Sequence, residues 1–242
     1  MPVPIVRRYA VLAIVAATVF AIVVAVAPFA VTAAKSAPPA PDTLMKATVG
    51  LRSEATRVEL VVGSSEARYH AQEVLVGRGA NEAIGRTNNV SGTIQIEADG
   101  TIAAEQSRIL VDMTSLQSDS NTRDNYIKRN TLQVGEFPNA LFVVTSVPGL
   151  PVPLPTSGTA QFELVGDLTV HGVTRPATWQ ASATFADREV TGTATTTVLM
   201  TDFGMTPPKV GSVVSIEDSV KLALDVRATV APSLAELLSD PY

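Results

Sequence analysis

The chain has 242 residues, a formal net charge of −5 and no cysteine. Without cysteine it has no disulfide bond, no thiolate nucleophile and no cysteine-based metal site. A negative net charge without a basic patch also argues against nucleic acid as a partner, because nucleic acids are bound through their phosphates.

The N-terminal segment is predicted to be a transmembrane signal-anchor helix over residues 9–34. None of these residues is charged, and Arg7 and Arg8 precede them. Residues 9–27 alone would span about 28 Å as a helix, close to the roughly 30 Å hydrocarbon core of a bilayer. Because basic residues favour the cytoplasmic side, residues 1–8 are predicted to be cytoplasmic. The remainder would then lie on the extracytoplasmic side, as the domain of a single-pass protein of the cell membrane.

A cleavable signal peptide is the alternative, with the small residues 32–34 as its cleavage site, and it would leave a secreted or periplasmic protein. Apolar cores of signal peptides are roughly 7 to 15 residues long, shorter than this segment, which favours the anchor. Residues 35–50 form a Pro- and Ala-rich linker, a composition typical of stiff, extended spacers. Residues 51–232 are predicted to form one domain, followed by a C-terminal tail over residues 233–242.

The domain is predicted to be all-β, because its apolar residues recur with a period of two between turn signals. We expect a loop over residues 77–81, where two glycines flank an arginine. The predicted strands cover residues 56–62, 67–76, 90–97, 107–113, 140–147, 160–170, 177–185, 190–200 and 220–230.

The clearest pattern is a β-hairpin over residues 161–185, whose two alternating runs are joined by a turn-like stretch at residues 171–176. One short helix is expected around residues 122–132, with Asp119, Ser120 and Asn121 as candidate N-caps. It is the only helix expected in the domain.

About eight short strands with one helix indicate a single antiparallel barrel of the lipocalin type or a β-sandwich. The interior of an eight-stranded barrel is wide enough either to be filled by side chains or to hold one small ligand. Several inward positions are too small to fill it, which favours a barrel with an apolar lumen. A sandwich whose sheets approach more closely is the alternative. The small inward residues are Gly166, Ala177, Ala181, Ala183, Gly192 and Ala194.

Larger apolar residues on the inward faces are predicted to line this lumen and to bind its ligand. They are Phe142, Phe162, Leu164, Leu168, Trp179, Phe185, Val198 and Leu222. No residue is predicted to be catalytic. With His70 and His171 as the two histidines and no cysteine, no metal site is predicted either.

Arg123 and His171 are candidates for the mouth of the lumen. Arg123 lies on the predicted helix next to Asp124, where it could anchor an anionic head group or join a hydrogen-bond network that pins the helix across the mouth. The network is favoured, because adjacent opposite charges tend to satisfy each other. His171 precedes Gly172 at the end of a strand, where stabilisation of the turn is favoured over a role as base or ligand.

Three segments resemble the YceI-like family of bacterial envelope proteins, and their order and spacing make the resemblance specific. It covers residues 57–230. The segments are TSLQSDSNTRDNYIKRNTLQVGEFPNALF (114–142), GDLTVHGVTRP (166–176), and TDFGMTPP (201–208) followed by EDSVKLALDV (217–226).

The resemblance implies an extended, lipocalin-like antiparallel barrel whose long apolar pore holds a polyisoprenoid chain, including quinone-type lipids. The sequence departs from the family pattern at two places. Tyr126-Ile127 stands where many members carry His-Leu, and Thr131-Leu132 replaces an aromatic pair. Both departures fall in the region where relatives would contact a head group.

Three functions are compatible with these features. The first is a membrane-tethered, exported protein that binds a polyisoprenoid or other long-chain lipid without catalysis, and it needs no cofactor besides that lipid. The second is an envelope protein-interaction module, which predicts a packed lumen and an exposed apolar patch. The third is a hydrolase or isomerase acting on such a lipid, which requires an acid/base pair in the lumen. The sequence favours the first and leaves open whether two barrels form a homodimer.

Overall fold

The computed structural model describes residues 58–208 and 213–231. The predicted cytoplasmic segment, membrane helix and linker, which together are residues 1–50, and the predicted tail at residues 233–242 lie outside the described residues. Within the described ranges, no helix combines the length and apolarity needed to cross a membrane.

Ten β-strands, one α-helix and a π-helical turn make up most of the described chain. The strands are β1 (Val58–Val62), β2 (Glu66–Leu75), β3 (Gly79–Thr87), β4 (Val90–Ile96), β5 (Arg108–Asp112), β6 (Asn139–Ser146), β7 (Ser157–Val170), β8 (Val173–Ala186), β9 (Glu189–Leu199) and β10 (Val213–Val230). The helix is α1 (Asn121–Tyr126), which continues into the π-helical turn Ile127–Thr131. Single 3₁₀ turns lie at Met113–Ser115 and Thr201–Phe203.

The strands form one antiparallel sheet that closes on itself through β1 and β10. β10 pairs with β1 through residues 228–230 and with β2 through residues 213–225. β1 in turn pairs with β4, and β2 pairs with β3. Thus β1 and β2 act as one long strand interrupted at residues 63–65, and β3 and β4 act as another interrupted at residues 88–89. The result is the predicted eight-stranded barrel, wound up and down in chain order, rather than a sandwich.

The β7–β8 hairpin is confirmed, with a tighter turn than the sequence suggests. Its turn residues are His171 and Gly172, with φ angles of 51° and 72°, as a two-residue type I′ turn requires. The predicted turn over residues 171–176 is therefore too long, and Pro176 lies inside β8. β9 pairs with β8 only from Gln180 onward. Pro176 thus occupies a stretch with one unpaired edge, where proline is tolerated in a sheet.

The predicted short helix is also confirmed, although it consists of two geometries. The Oγ of Ser120 accepts a hydrogen bond from the backbone N–H of Arg123 at 3.3 Å, which identifies Ser120 as the N-cap. α1 ends at Tyr126, and the chain then widens into the π-helical turn before Leu132, which is buried.

Residues 79–81 begin β3 instead of forming the predicted loop. The inner face of β3 carries Ala83 and Gly85, which have weak strand propensity. The ring of Tyr69 on β2 covers Gly85, and a Cβ at that position would overlap it. The strand is thus stabilised by an aromatic neighbour from the paired strand, a contact that local alternation does not reveal.

One half of the barrel interior is filled with side chains. Each core residue of this half is less than 10% exposed. The core includes Leu60, Val62, Ile94, Ile96, Val144, Phe185, Val190 and Ala228. Ala181, Ala183 and Gly192 lie in this half, and Gly192 has no room for a side chain: a Cβ there would lie 2.5 Å from the carbonyl oxygen of Ser182 and 3.2 Å from the Cβ of Ala183. These small residues therefore permit close packing here and do not border the hollow part of the barrel.

Gly166 is predicted to be intolerant of a side chain. A Cβ on Gly166 would overlap the carbonyl oxygen of Val143 and lie 3.1 Å from the Cε2 of Phe142. Substitution Gly166→Ala should therefore reduce the free energy of unfolding by about 1–3 kcal/mol in chemical denaturation. Gly135→Ala is the matched control, because a Cβ there meets nothing within 4 Å. Equal stability of the two variants would contradict this packing.

Candidate ligand cavity

The other half of the barrel encloses a cavity of about 380 Å³. It lies under α1 and is bordered by β2, β3, β5 to β10 and the segment that follows β9. Most of its lining is aliphatic or aromatic, as in sites for small apolar ligands. Six of the predicted lumen residues are among the lining: Phe142, Leu164, Leu168, Trp179, Val198 and Leu222.

Phe162 and Phe185 are the two predicted lumen residues that the structure places outside the lining. Phe185 is buried at 4% exposure in the packed half, where it is paired in register with Val190. Phe162 is half-buried beside Gly149. Both lie further along their strands from α1 than Leu164 and Trp179 do. Alternation identifies the inward face of a strand, whereas depth along the barrel axis decides which inward residues meet the cavity.

Several lining residues have no counterpart in the sequence prediction. Alternate residues of β2 face the cavity, and Glu73 is the one charged residue among them. The two-residue spacing of Ala67, Tyr69 and Ala71 is the signal that could have identified them. Other lining residues come from the helical turns and from the segment after β9, which have no such spacing: Ile127, Leu132, Met200, Phe203 and Met205.

The mouth of the cavity carries an ion pair between β2 and α1. Nη2 of Arg123 lies 2.9 Å from Oε1 of Glu73, and the two side chains are 19% and 3% exposed. Nη1 of Arg123 contacts the carboxylate of Asp119. Asn81 on β3 also donates a hydrogen bond to Oε1 of Glu73, at 2.7 Å. Oε1 of the buried carboxylate thus has two partners, and the network ties α1 to β2 and β3.

Asp124, next to Arg123, is held in the same way. Its carboxylate accepts hydrogen bonds from the backbone N–H of Ser118 at 3.0 Å and from the Ser118 hydroxyl at 2.6 Å. Arg123 and Asp124 therefore both fix the start of α1. The arrangement is the pinning network, with the guanidinium already shared between two carboxylates.

Tyr69 adds a neutral polar group to the lining next to this network. Burial raises the pKa of Tyr69 to about 12, and the nearby charges of Arg123 and Asp124 contribute smaller effects in opposite directions. Its phenol therefore stays protonated and able to donate a hydrogen bond across the physiological pH range.

His171 is not among the lining residues. Its Nδ1 donates a hydrogen bond to the carbonyl oxygen of Phe203 at 3.2 Å, and its ring packs edge-on against Phe137 at a centroid distance of 4.8 Å. Phe203 is 2% exposed, and unlike His171 it lines the cavity. His171 thus joins the β7–β8 turn to the 3₁₀ turn after β9.

The described lining contains a single carboxylate, that of Glu73. It is paired with Arg123, so the cavity wall described here has no second acid with which it could act as an acid/base pair. Within the same part of the chain, no three His, Asp or Glu side chains are grouped so that they could hold a metal ion. The lining therefore offers mainly apolar contact, together with the ion pair at the mouth and the buried indole N–H of Trp179, which has no hydrogen-bond partner among the described residues.

A family model described as the YceI-like domain matches residues 60–228. The chain belongs to the YceI-like family. A UPF0312 protein of Pseudomonas putida strain F1 is 36% identical over 113 residues, which cover 43% of this chain and 55% of the relative. A UPF0312 protein of Vibrio vulnificus strain YJ016 is 31% identical over 140 residues, which cover 55% of this chain and 70% of the relative. The match thus spans little more than half the length of the Pseudomonas relative.

Two solved structures are similar to this YceI-like chain. A polyisoprenoid binding domain from Saccharophagus degradans, implicated in plant cell wall breakdown, has a TM-score of 0.56 and 13% identity, and the match covers 72% of this chain and 98% of that one. BcnA of Burkholderia cenocepacia has a TM-score of 0.52 and 15% identity, with coverage of 68% and 96%. At these identities the likeness supports the fold.

The ion pair at the mouth predicts unequal losses of stability for substitutions at Arg123 and at Asp119. Arg123→Met leaves the buried carboxylate of Glu73 without its cation and should cost about 3–5 kcal/mol of unfolding free energy. Asp119→Asn removes a partner that is 83% exposed and should cost less than about 1 kcal/mol. Denaturant titration of both variants measures the difference. If Arg123→Met lowers the unfolding free energy no more than Asp119→Asn does, the ion pair between Arg123 and Glu73 does not hold α1 on β2.

Proposed function

We propose that this protein is an exported, membrane-tethered binder that holds the hydrocarbon chain of a polyisoprenoid or other long-chain lipid, quinone-type lipids included, in the cavity under α1. The observation that carries the proposal is a preformed, largely apolar cavity inside an otherwise packed barrel. An apolar chain that enters it gains roughly 25 cal/mol for each Å² removed from water, with no need for a catalyst.

The distribution of polarity gives the ligand a direction. The charged pair Glu73–Arg123 and the phenol of Tyr69 lie toward α1, whereas the opposite end is formed by Phe142 and Trp179. A lipid would therefore place its head group near α1 and its tail toward the packed half. Because Arg123 already contacts two carboxylates, an anionic head group would have to compete with them for the guanidinium.

The similar domain from Saccharophagus degradans is a polyisoprenoid binding domain, which supports a ligand of this class. The membrane tether belongs to the same proposal, because residues 9–34 are uncharged and long enough to span a bilayer. A tethered barrel on the extracytoplasmic side would stay close to the membrane that supplies the lipid. The cavity counts against a pure interaction module, which predicts a packed lumen.

Trp179 provides a direct readout of binding, because it is the one tryptophan of the chain and it lines the cavity. Titration of the full-length protein with a long-chain prenol should change Trp179 fluorescence to saturation, with one prenol per barrel. A prenol that leaves the emission unchanged and does not co-purify with the protein would contradict lipid binding in this cavity.

A charge placed inside the cavity should weaken lipid binding, whereas the same charge on the outer surface of the barrel should not. Leu222→Asp places a carboxylate among apolar lining residues and should weaken prenol binding by about tenfold or more, because the bound chain would leave that charge without water. Leu110→Asp is the matched control on an outward position that is 38% exposed. Fluorescence titration of both variants, with thermal unfolding to verify folding, measures the difference. Equal affinities would show that the ligand lies elsewhere.

A further inference from the structure

The hollow half of the barrel ends at a contact between two aromatic rings. The rings of Phe142 on β6 and Trp179 on β8 have a centroid distance of 5.7 Å and an interplanar angle of 50°. The two side chains are 5% and 8% exposed, and both line the cavity. Leu164 is paired in register with Trp179 and also lines the cavity, as do Ala194 and Leu224, which are paired with each other.

Beyond this contact the interior is closed. Val144 is the next inward residue of β6 after Phe142, and it has no exposed area. Ala181, Ala183 and Phe185 continue the inward face of β8 after Trp179, and all three are buried without lining the cavity. The ring contact therefore separates the hollow half from the packed half.

The position of both rings is fixed by their strands. Phe142 lies against Gly166 of β7, where a Cβ would be 3.1 Å from its ring. Trp179 is in register with Leu164 of the same strand. A ring held by a glycine on a closed sheet has little room to move aside, because the backbone behind it is already in contact.

We propose that the Phe142–Trp179 contact is the floor of the cavity and sets the greatest chain length of the lipid that the protein holds. This role rests on the proposed lipid binding: with the head group near α1, the end of the tail meets the two rings. The protein then selects among polyisoprenoids by length, and it accepts chains up to the distance between the mouth and this floor.

Replacement of Phe142 by alanine should lengthen the accepted chain. Phe142→Ala removes a ring of six carbons, and an isoprene unit has five, so the bound population should shift toward longer chains by about one isoprene unit. Ala194→Leu tests the opposite direction, because Ala194 lines the cavity and is paired in register with Ala181, the next inward residue after Trp179, so a larger side chain there should shift the population toward shorter chains. This second variant decides the matter if the first does not fold.

Phe185→Ala is the matched control. It deletes the same atoms from a residue that is equally buried, at 4% exposure, but lies beyond the floor. It should lower stability as Phe142→Ala does and leave the chain-length distribution of the bound lipid unchanged. A shift in Phe185→Ala equal to that in Phe142→Ala would overturn the assignment of the floor.

The experiment offers each full-length variant the same mixture of prenols that differ by single isoprene units. Native mass spectrometry then reads the chain lengths that remain bound. Opposite shifts in Phe142→Ala and Ala194→Leu support the floor. Binding by every variant with identical chain-length distributions overturns the floor and leaves lipid binding intact, whereas no bound prenol in the unmodified protein overturns the proposed function itself.

Discussion

The structure depends on the closure of its sheet through β10. This strand pairs with β9 on one side and with β1 and β2 on the other, so the sheet closes into a barrel instead of ending at two open edges. Closure fixes the width of the interior at that of an eight-stranded barrel, which side chains can fill completely. The functional question is therefore where the side chains leave this fixed volume unfilled.

Side chains fill the barrel interior unevenly along its axis, and the cavity lies where they leave space. Rings and branched side chains occupy one half, and the other half is left hollow beneath α1. The helix cannot be displaced without exposing the pair between Arg123 and Glu73, whose carboxylate is 3% exposed. This cavity is preformed and covered by α1. It can therefore hold an apolar chain with little reorganisation, since its walls are already ordered when the protein folds.

The alternation in the sequence was sufficient to predict an all-β domain, the β7–β8 hairpin and the inward faces of its predicted strands, because side-chain direction in a strand is a local property. The choice of a barrel over a sandwich relied on six small inward residues, of which only Ala194 lines the cavity. It did not predict depth, so Phe185 was assigned to the lumen although it lies in the packed half. It also missed β3 as a whole, because this strand carries weak strand formers such as Ala83 and Gly85 and is supported by Tyr69 of the neighbouring strand. The sequence alone could not identify Glu73 as a partner of Arg123, because the two residues are 50 positions apart and come into contact only when the barrel has formed.

The central claim is that the hollow half of the barrel holds one lipid chain. The most direct test is native mass spectrometry of the full-length protein purified from the cell envelope, with the bound species ejected and identified by fragmentation. Lipid binding predicts an added mass that corresponds to one polyisoprenoid or quinone lipid per barrel. A protein that carries no added mass, and takes up no prenol when one is supplied, would contradict it.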